Sequence, residues 1–423
     1  MQNVRLGLKE NWRQFTLLVI INAFVGGMVG MERSILPKIA DAEFHIAAKT
    51  AILSFIIVFG IVKAITNYFT GTFANRIGRK NLLVIGWLFG IPVPFILMYA
   101  PDWNWIVAAN VLLGINQGLT WSSTVMMKID LVGEKQRGLA MGLNEFAGYL
   151  AVAVIAFLTG WMASKYGLRP YPFYLGAGVA FLGFFSSWLL VRDTKHHVAQ
   201  EAVSSGISKL KNIFWETTWR NKNLSSVTQA GLVNNLNDGM VWGILPILLA
   251  SKNFTIKEIG IITAVYPAVW GVGQIIAGKM ADKVCKKDML FLGMILQAIA
   301  LILFSVAVSF TQFILLAVLL GWGTAMVYPT FLAAIAENTH PVDRAKSLGV
   351  FRLWRDLGYA IGAIITGIIA DIIGMNASII FIGGLTFVSG LIVYYRMKCG
   401  TQVIKLADWL FNKMSGKKNS YTI

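Results

Sequence analysis

Apolar residues in this chain run in blocks of twenty or more, not in the narrow stripes of a soluble amphipathic helix. Twelve blocks can be drawn, at 14–37, 49–74, 81–100, 104–127, 138–164, 171–191, 224–250, 257–280, 289–309, 311–335, 346–373 and 376–397. About 20 residues at about 1.5 Å each cross ~30 Å of hydrocarbon, so each block predicts one membrane helix. The first block has no small-residue cleavage site after a short apolar core, so it reads as a retained helix and not a signal peptide. The blocks fall as six, a polar connection, and six. That pattern predicts a six-helix bundle over 1–191, a linker over 192–223, a second bundle over 224–400 and a tail over 401–423.

The two sets of six repeat each other at a constant offset of 207 residues. Gly71, Ala74, Asn75, Arg76, Arg79, Lys80 and Leu83 align without gaps on Gly278, Ala281, Asp282, Lys283, Lys286, Lys287 and Leu290. The same register pairs Gly114 with Gly321, Asp130 with Glu337, Arg137 with Arg344 and Gly142 with Gly349. A duplicated bundle of this kind suggests two halves rocking about a central site.

Composition agrees with a membrane protein: 56% of residues are hydrophobic and 13% charged, against about 25% charged in a soluble domain. The net charge of +17 is distributed by topology. With an even helix count and a cytoplasmic N-terminus, 26 Lys and Arg fall on one face and 6 on the other. That is the positive-inside bias; it excludes a nucleic-acid surface and makes anionic lipid headgroups the expected partner. It places both termini in the cytoplasm. Cys285 and Cys399 then lie on the cytoplasmic side, where a structural disulfide is not expected, and the four scattered histidines form no metal-ligand pattern. Two stretches, 207–216 in the linker and 402–414 in the tail, alternate apolar and charged residues and predict amphipathic helices lying on the membrane.

Gly71-x-x-Ala74-Asn75-Arg76-x-Gly78-Arg79-Lys80 resembles the loop motif of the major facilitator superfamily, between its second and third helices. A degenerate copy begins at Gly278. Asp130-x-x-Gly133-x-x-x-Arg137-Gly138-x-Ala140-x-Gly142 resembles the family's junction between helices four and five. The resemblance covers the whole chain and is specific for fold but nearly silent on substrate. It implies an all-α membrane protein of twelve transmembrane helices in two pseudo-symmetric six-helix bundles. It also implies a charge latch on the cytoplasmic side, assigned here to Gly71, Asn75, Arg76, Gly78, Arg79, Asp130, Arg137, Gly278, Asp282, Glu337 and Arg344. Glycines there let helices approach closely, and an acid can sit at the N-terminus of a neighbouring helix. Acid and base recur at one offset, in Asp130 with Arg137 and Glu337 with Arg344, whereas Arg79 and Lys80 need only set topology. Asn75 stands where the family has Asp, so the first-half latch relies on a neutral hydrogen bond or is weaker.

Charges within the blocks carry the functional reading, because each costs at least ~2.5–3.5 kcal/mol at mid-bilayer and so faces a cavity or a partner. Eight stand clear of helix ends: Glu32, Arg33, Lys63, Glu145, Asp238, Arg352, Arg355 and Asp356, four of each sign. Arg352, Arg355, Asp356 and Tyr359 share one helical face, as do Asn234, Asn237, Asp238 and Val241. Glu145 and Tyr149 stack one turn apart, and family geometry suggests a Lys63–Asp356 pair. Internal ion pairs that merely join the bundles are the competing account of any one of these residues. Substrate-binding candidates are Arg33, Lys63, Asn116, Gln117, Trp121, Asn234, Asp238, Arg352 and Arg355; proton-coupling candidates are Glu145, Asp238, Asp356 and Glu32.

Gly273–Lys279 mimics a phosphate-binding loop, but Met280 replaces the required Ser or Thr and no strand precedes it. Without a nucleotide site, transport is passive or driven by an ion gradient. The expected protein is a secondary transporter of the plasma membrane, not an enzyme. It is monomeric and cofactor-free, and moves a small organic solute by alternating access with proton coupling. An uncoupled facilitator and a transport-inactive sensor are the alternatives. Asn110, where proton-driven drug exporters of the superfamily have Arg, and the lack of a Gly-Pro signature around Gly148 argue against a typical drug exporter. The arginines and Lys63 suit a carboxylate or phosphate, while the four acids with Trp121 and Trp242 suit a cation equally well.

Overall fold

A computed structural model describes residues 5–33, 35–46, 49–134, 136–204, 206–399 and 409. The side chains of 33, 37, 41, 49–53, 204, 256, 257 and 260 lie outside the description, as do the tail stretch 402–414 apart from Trp409 and the lipid-facing helix expected there. Among the described residues there is helix and no strand.

The first half comprises α1 (Trp12–Arg33), α2 (Leu36–Ala42), α3 (Lys49–Ile77), α4 (Arg79–Gly90), α5 (Pro92–Tyr99), α6 (Trp103–Val132), α7 (Arg137–Tyr166) and α8 (Phe173–Leu189). The linker carries α9 (Lys195–Ser204) and α10 (Ile213–Trp215), which runs into a wide helical turn at Glu216–Arg220. The second half comprises α11 (Lys222–Ser251), α12 (Ile256–Ala281), α13 (Lys286–Phe304), α14 (Phe310–Glu337), α15 (Pro341–Ile372) and α16 (Met375–Arg396). α4 and α5 form one membrane crossing, Arg79–Tyr99, interrupted at Pro92, which has no N–H to donate. Among the described residues, twelve crossings result. Nine meet a plain length-and-hydropathy test, and α8 is short but apolar. α6 and α11 carry more polar side chains, which they bury against other helices.

Helix ends follow local chemistry. Asp102 caps α6 by accepting from Asn104 N, Asn221 caps α11, and Thr255 with Glu258 and Ser309 with Gln312 form capping boxes on α12 and α14. The halves meet where α3 packs on α15 and α7 on α12. A Cβ added to Gly138 would fall 2.3 Å from the Gly278 carbonyl oxygen, and one on Gly71 would fall 2.4 Å from that of Ala345. Glycine is the residue that admits such an approach, as the loop motifs predict.

Two expectations change here. The helix expected over 207–216 forms only from Ile213, as α10 and the turn after it; 206–212 is non-helical, and a further helix, α9, lies upstream. Docking explains the difference: Leu210 N donates to Asp343 Oδ2 at 2.8 Å, and the Phe214 ring packs on Tyr68 at 5.9 Å. Phe214 thus serves a tertiary contact, while Trp215 beside it stays 52% exposed. The cysteines are also joined: Cys285, at the N-terminus of α13, and Cys399, just beyond α16, form a disulfide with Cα atoms 5.5 Å apart. α13 and α16 lie side by side, so packing brings together two residues 114 apart in sequence.

Candidate functional site

At the linker end, each half is braced by an ion pair, and the 207-residue offset maps one pair onto the other. Arg79 at the start of α4 pairs with Asp130 in the last turn of α6 (Nε–Oδ2 3.3 Å), and Thr194 Oγ1 donates to the same carboxylate oxygen at 2.7 Å. Lys286 at the start of α13 pairs with Glu337 at the end of α14 (2.6 Å). The acids thus pair with the loop-motif bases, not with Arg137 and Arg344. Arg79 is 2% exposed, so it does more than set topology.

Arg137 and Arg344 instead converge from opposite halves on Glu201 of α9. Arg344 donates through Nη1 and Nη2 at 2.9 and 2.7 Å, and Arg137 donates through Nη2. Arg137 Nη1 also reaches the Ala336 carbonyl at 3.1 Å, in the last turn of α14. Burial of Glu201 pushes its carboxyl up, but the two guanidiniums outweigh burial and hold it below the usual carboxylate range. Sequence reasoning missed Glu201, because the symmetry that exposes the arginines has no counterpart in the linker.

The remaining latch contacts lie close by. Asp282 accepts from Gly138 N at 2.6 Å and Leu139 N at 2.9 Å, so the acid caps the N-terminus of α7. Burial pushes its pKa up to about 6, against the pull of those two amides. Asn75 Nδ2 donates to the Val342 carbonyl at 2.7 Å, the neutral bond expected of it. Gly78 adopts φ +93° at the turn into α4, and Arg76 is exposed.

Deeper in the molecule, a layer of buried charge spans the boundary. Asp356 on α15 pairs with Arg355 (2.7 Å) and accepts from Asn67 on α3. Asn67 accepts in turn from Ser122 on α6, and Arg352 Nη1 donates to Ser122 Oγ at 3.0 Å. Arg355 makes the close salt bridge to Asp356, and Lys63 also acts on that carboxylate electrostatically, its Nζ lying 5.4 Å from the centre of the Trp121 ring and 5.5 Å from that of Phe59. Glu145 accepts from Asn144 Nδ2 at 2.7 Å and Trp121 Nε1 at 3.3 Å. Lys128, fully buried on α6, donates to Asn144 Oδ1.

In the second half, Asp238 is ringed by tyrosines. Tyr266 donates to Oδ1, and the Tyr359 hydroxyl lies 3.3 Å from Oδ2. The Tyr328 hydroxyl lies 2.9 Å from Asn235 Oδ1 and 3.3 Å from Asp238 Oδ2. An aromatic row crosses between the halves, from Trp121 to Tyr149 (5.6 Å between centroids), Trp270 (4.1 Å) and Tyr328 (4.8 Å).

Not every predicted residue arrives at this layer. Asn116 donates to Gly86 O at 2.9 Å and Gln117 to Val25 O at 2.8 Å, so both tie helices of the first half together. Glu32 accepts from Asn110 at 3.2 Å, away from the row. Asn234 is buried with neither amide atom hydrogen-bonded, Trp242 stacks near Tyr266 (6.2 Å), and the Arg33 side chain lies outside the description. Lys128 was missed because it falls one residue past a block edge. Its signal was there: it lies seven residues, two turns, from Trp121 on the same face.

Comparison with known proteins agrees with this architecture. The family model described as Major Facilitator Superfamily matches residues 17–229 and again 227–401. The multidrug resistance protein MdtG of Salmonella arizonae is 22% identical over 382 residues, 87% of this chain and 91% of that one. Among solved structures, the proton:xylose symporter XylE superposes with a TM-score of 0.73 at 14% identity, covering 91% of this chain and 96% of that one. The human organic anion transporter MFSD10 gives 0.73 at 13%, covering 90% and 99%. With both halves matched by the family model and the fold shared, the chain belongs to the major facilitator superfamily of multi-pass membrane transporters.

Proposed function

We propose that this protein is a proton-coupled secondary transporter that moves a small organic solute across the plasma membrane by alternating access. Its two bundles, 1–191 and 224–400, rock about the aromatic and charged layer, with both termini and the linker in the cytoplasm. The observation that carries this reading is the layer itself: carboxylates Glu145 and Asp238, each 1% exposed, sit beside a ring-lined boundary between halves that are closed together at the linker end. A carboxyl in low dielectric takes up a proton readily, and donors or an arriving charge release it. Asp238 within its tyrosines and Glu145 beside Lys128 and Arg352 are the coupling groups; Asp356, already paired with Arg355, is the lesser one.

The test starts with a thermal-shift screen of metabolites and drugs on purified protein, where a ligand at 100 times its dissociation constant adds ~2.7 kcal/mol. With the solute found, proteoliposomes bearing Asp238→Asn or Glu145→Gln lose pH-driven accumulation and retain solute exchange. Unchanged accumulation in both variants sinks proton coupling at these groups. Equilibration of the solute with no gradient formed, unchanged by an ionophore, points to the uncoupled facilitator.

A further inference from the structure

Resting on the transporter reading, we propose that the solute is an organic anion, its carboxylate or phosphate held by Arg352 and its body lying against the Tyr149–Trp270–Tyr328 row. The buried charges are matched unequally. Each acid of the layer already has donors: Asp356 has Arg355 and Asn67, Asp238 has its tyrosines, and Glu145 has Asn144 and Trp121. Arg355 is taken up by Asp356, and Lys128 donates to Asn144.

Arg352 stands apart. It is 1% exposed and donates only to Ser122, and its Nε and Nη2 have no hydrogen-bond partner. A guanidinium keeps its charge at any physiological pH and presents donors in a planar fork that fits a carboxylate or phosphate. Glu145 and Asp356 lie near enough to offset its charge, but its buried Nε and Nη2 donors still lack an acceptor, which an anion would supply. A cationic solute would have to take an acid from its present donors; an anionic one completes a group that is incomplete.

Placement supports the same class. Arg352 is the repeat mate of Glu145, and through Ser122 it bonds across the boundary between halves. Arg355, one turn along the same helix, lies 5.6 Å from the Tyr328 ring, so the arginine row adjoins the aromatic row. On α12, Gln274 sits one turn from Trp270, and both of its amide atoms are buried without a partner, as is Trp270 Nε1. Unpartnered polar groups thus lie on and next to the aromatic row, an arrangement suited to a planar ring bearing an acid group.

The experiment uses full-length protein and four probes of one shape: benzoate, phenyl phosphate, benzylammonium and benzyl alcohol. Expected is a concentration-dependent rise in Tm, with quenching of tryptophan fluorescence, for one or both anions and not for the cation or the alcohol. Arg352→Gln weakens the anion at least tenfold, and Arg352→Lys restores part of the affinity. Ser122→Ala, which leaves the guanidinium in place, keeps the preference for anions should Arg352→Gln fold poorly. Benzylammonium binding as well as benzoate, no response to either anion, or full anion affinity in Arg352→Gln overturns the proposal. Counterflow of labelled benzoate in proteoliposomes separates the two claims. Arg352-dependent binding without counterflow defeats the transporter reading alone, whereas counterflow of benzylammonium indifferent to Arg352 defeats the anion alone.

Discussion

Glu201 holds the position of greatest leverage among single residues. It is a buried carboxylate from the linker that receives an arginine from each half, so removing its charge leaves two guanidiniums facing each other in a dry site. Breaking a buried pair by removing one partner costs about 3–5 kcal/mol. Glu201→Gln should therefore lower Tm and raise the reactivity of cysteines placed on the facing sides of α7 and α12; wild-type values for both would show that the cluster carries no strain-bearing load. Because its carboxyl titrates below the usual range, this contribution is present above the ordinary carboxylate pKa and is lost only as pH falls through the depressed one. Glu201 should thus not sense pH near neutrality. The arginines were legible because duplication repeats them. Their partner was not, since nothing in a linker's pattern says which carboxylate folds inward.

Asp282 behaves in the opposite way, and its effect belongs to the junction of α7 and α12. Two amides of the α7 N-terminus favour its charged form, yet burial outweighs them and its pKa stands at about 6 with the junction closed. Solvated in an opened junction, it would titrate at about 4. The closed junction therefore binds the proton more tightly. Its contribution to closure is complete below the lower value and is lost as pH rises through the higher one. Acidifying the linker side from neutrality to below 6 should shift inter-helix distances, read by paired spin labels on α7 and α12, toward closure. Asp282→Asn should flatten that response, and an unchanged pH profile would refute the assignment. The same junction predicts that Gly138→Ala opens it, because the new methyl meets the Gly278 carbonyl at 2.3 Å and something must move. Helix extents were readable from the apolar blocks to within a few residues. The α9 helix was not, because its neighbours' apolar spacing is equally consistent with docking.

Across the whole molecule, the repeat explains what is shared and the breaks explain what is specific. Arg79–Asp130 and Lys286–Glu337 are one bond drawn twice, and the breaks at Glu145 and Arg352, and at Tyr149 and Asp356, build the asymmetric central layer. Asn75 is a break of a third kind, and its cause is visible. Its repeat mate Asp282 accepts from Gly138 and Leu139, whose counterparts in the second half are Ala345 and Lys346. α7 begins at Arg137, but α15 begins at Pro341, three residues ahead of the matching Arg344. The extra turn places the Ala345 and Lys346 amides inside the helix, where they bond the carbonyls four residues back. No free amides remain there for a carboxylate, and Asn75 instead donates to the Val342 carbonyl. Restoring the family's acid with Asn75→Asp would replace that donor by a negative charge facing a carbonyl oxygen. The expected result is a looser α3–α15 contact, by about 1 kcal/mol for a lost hydrogen bond, seen as greater cysteine reactivity on α3 at the linker end. Asn75→Ala should reproduce most of the loss. A tighter contact in Asn75→Asp would mean that the first-half latch works as the second does, and that the added turn of α15 has no part in it.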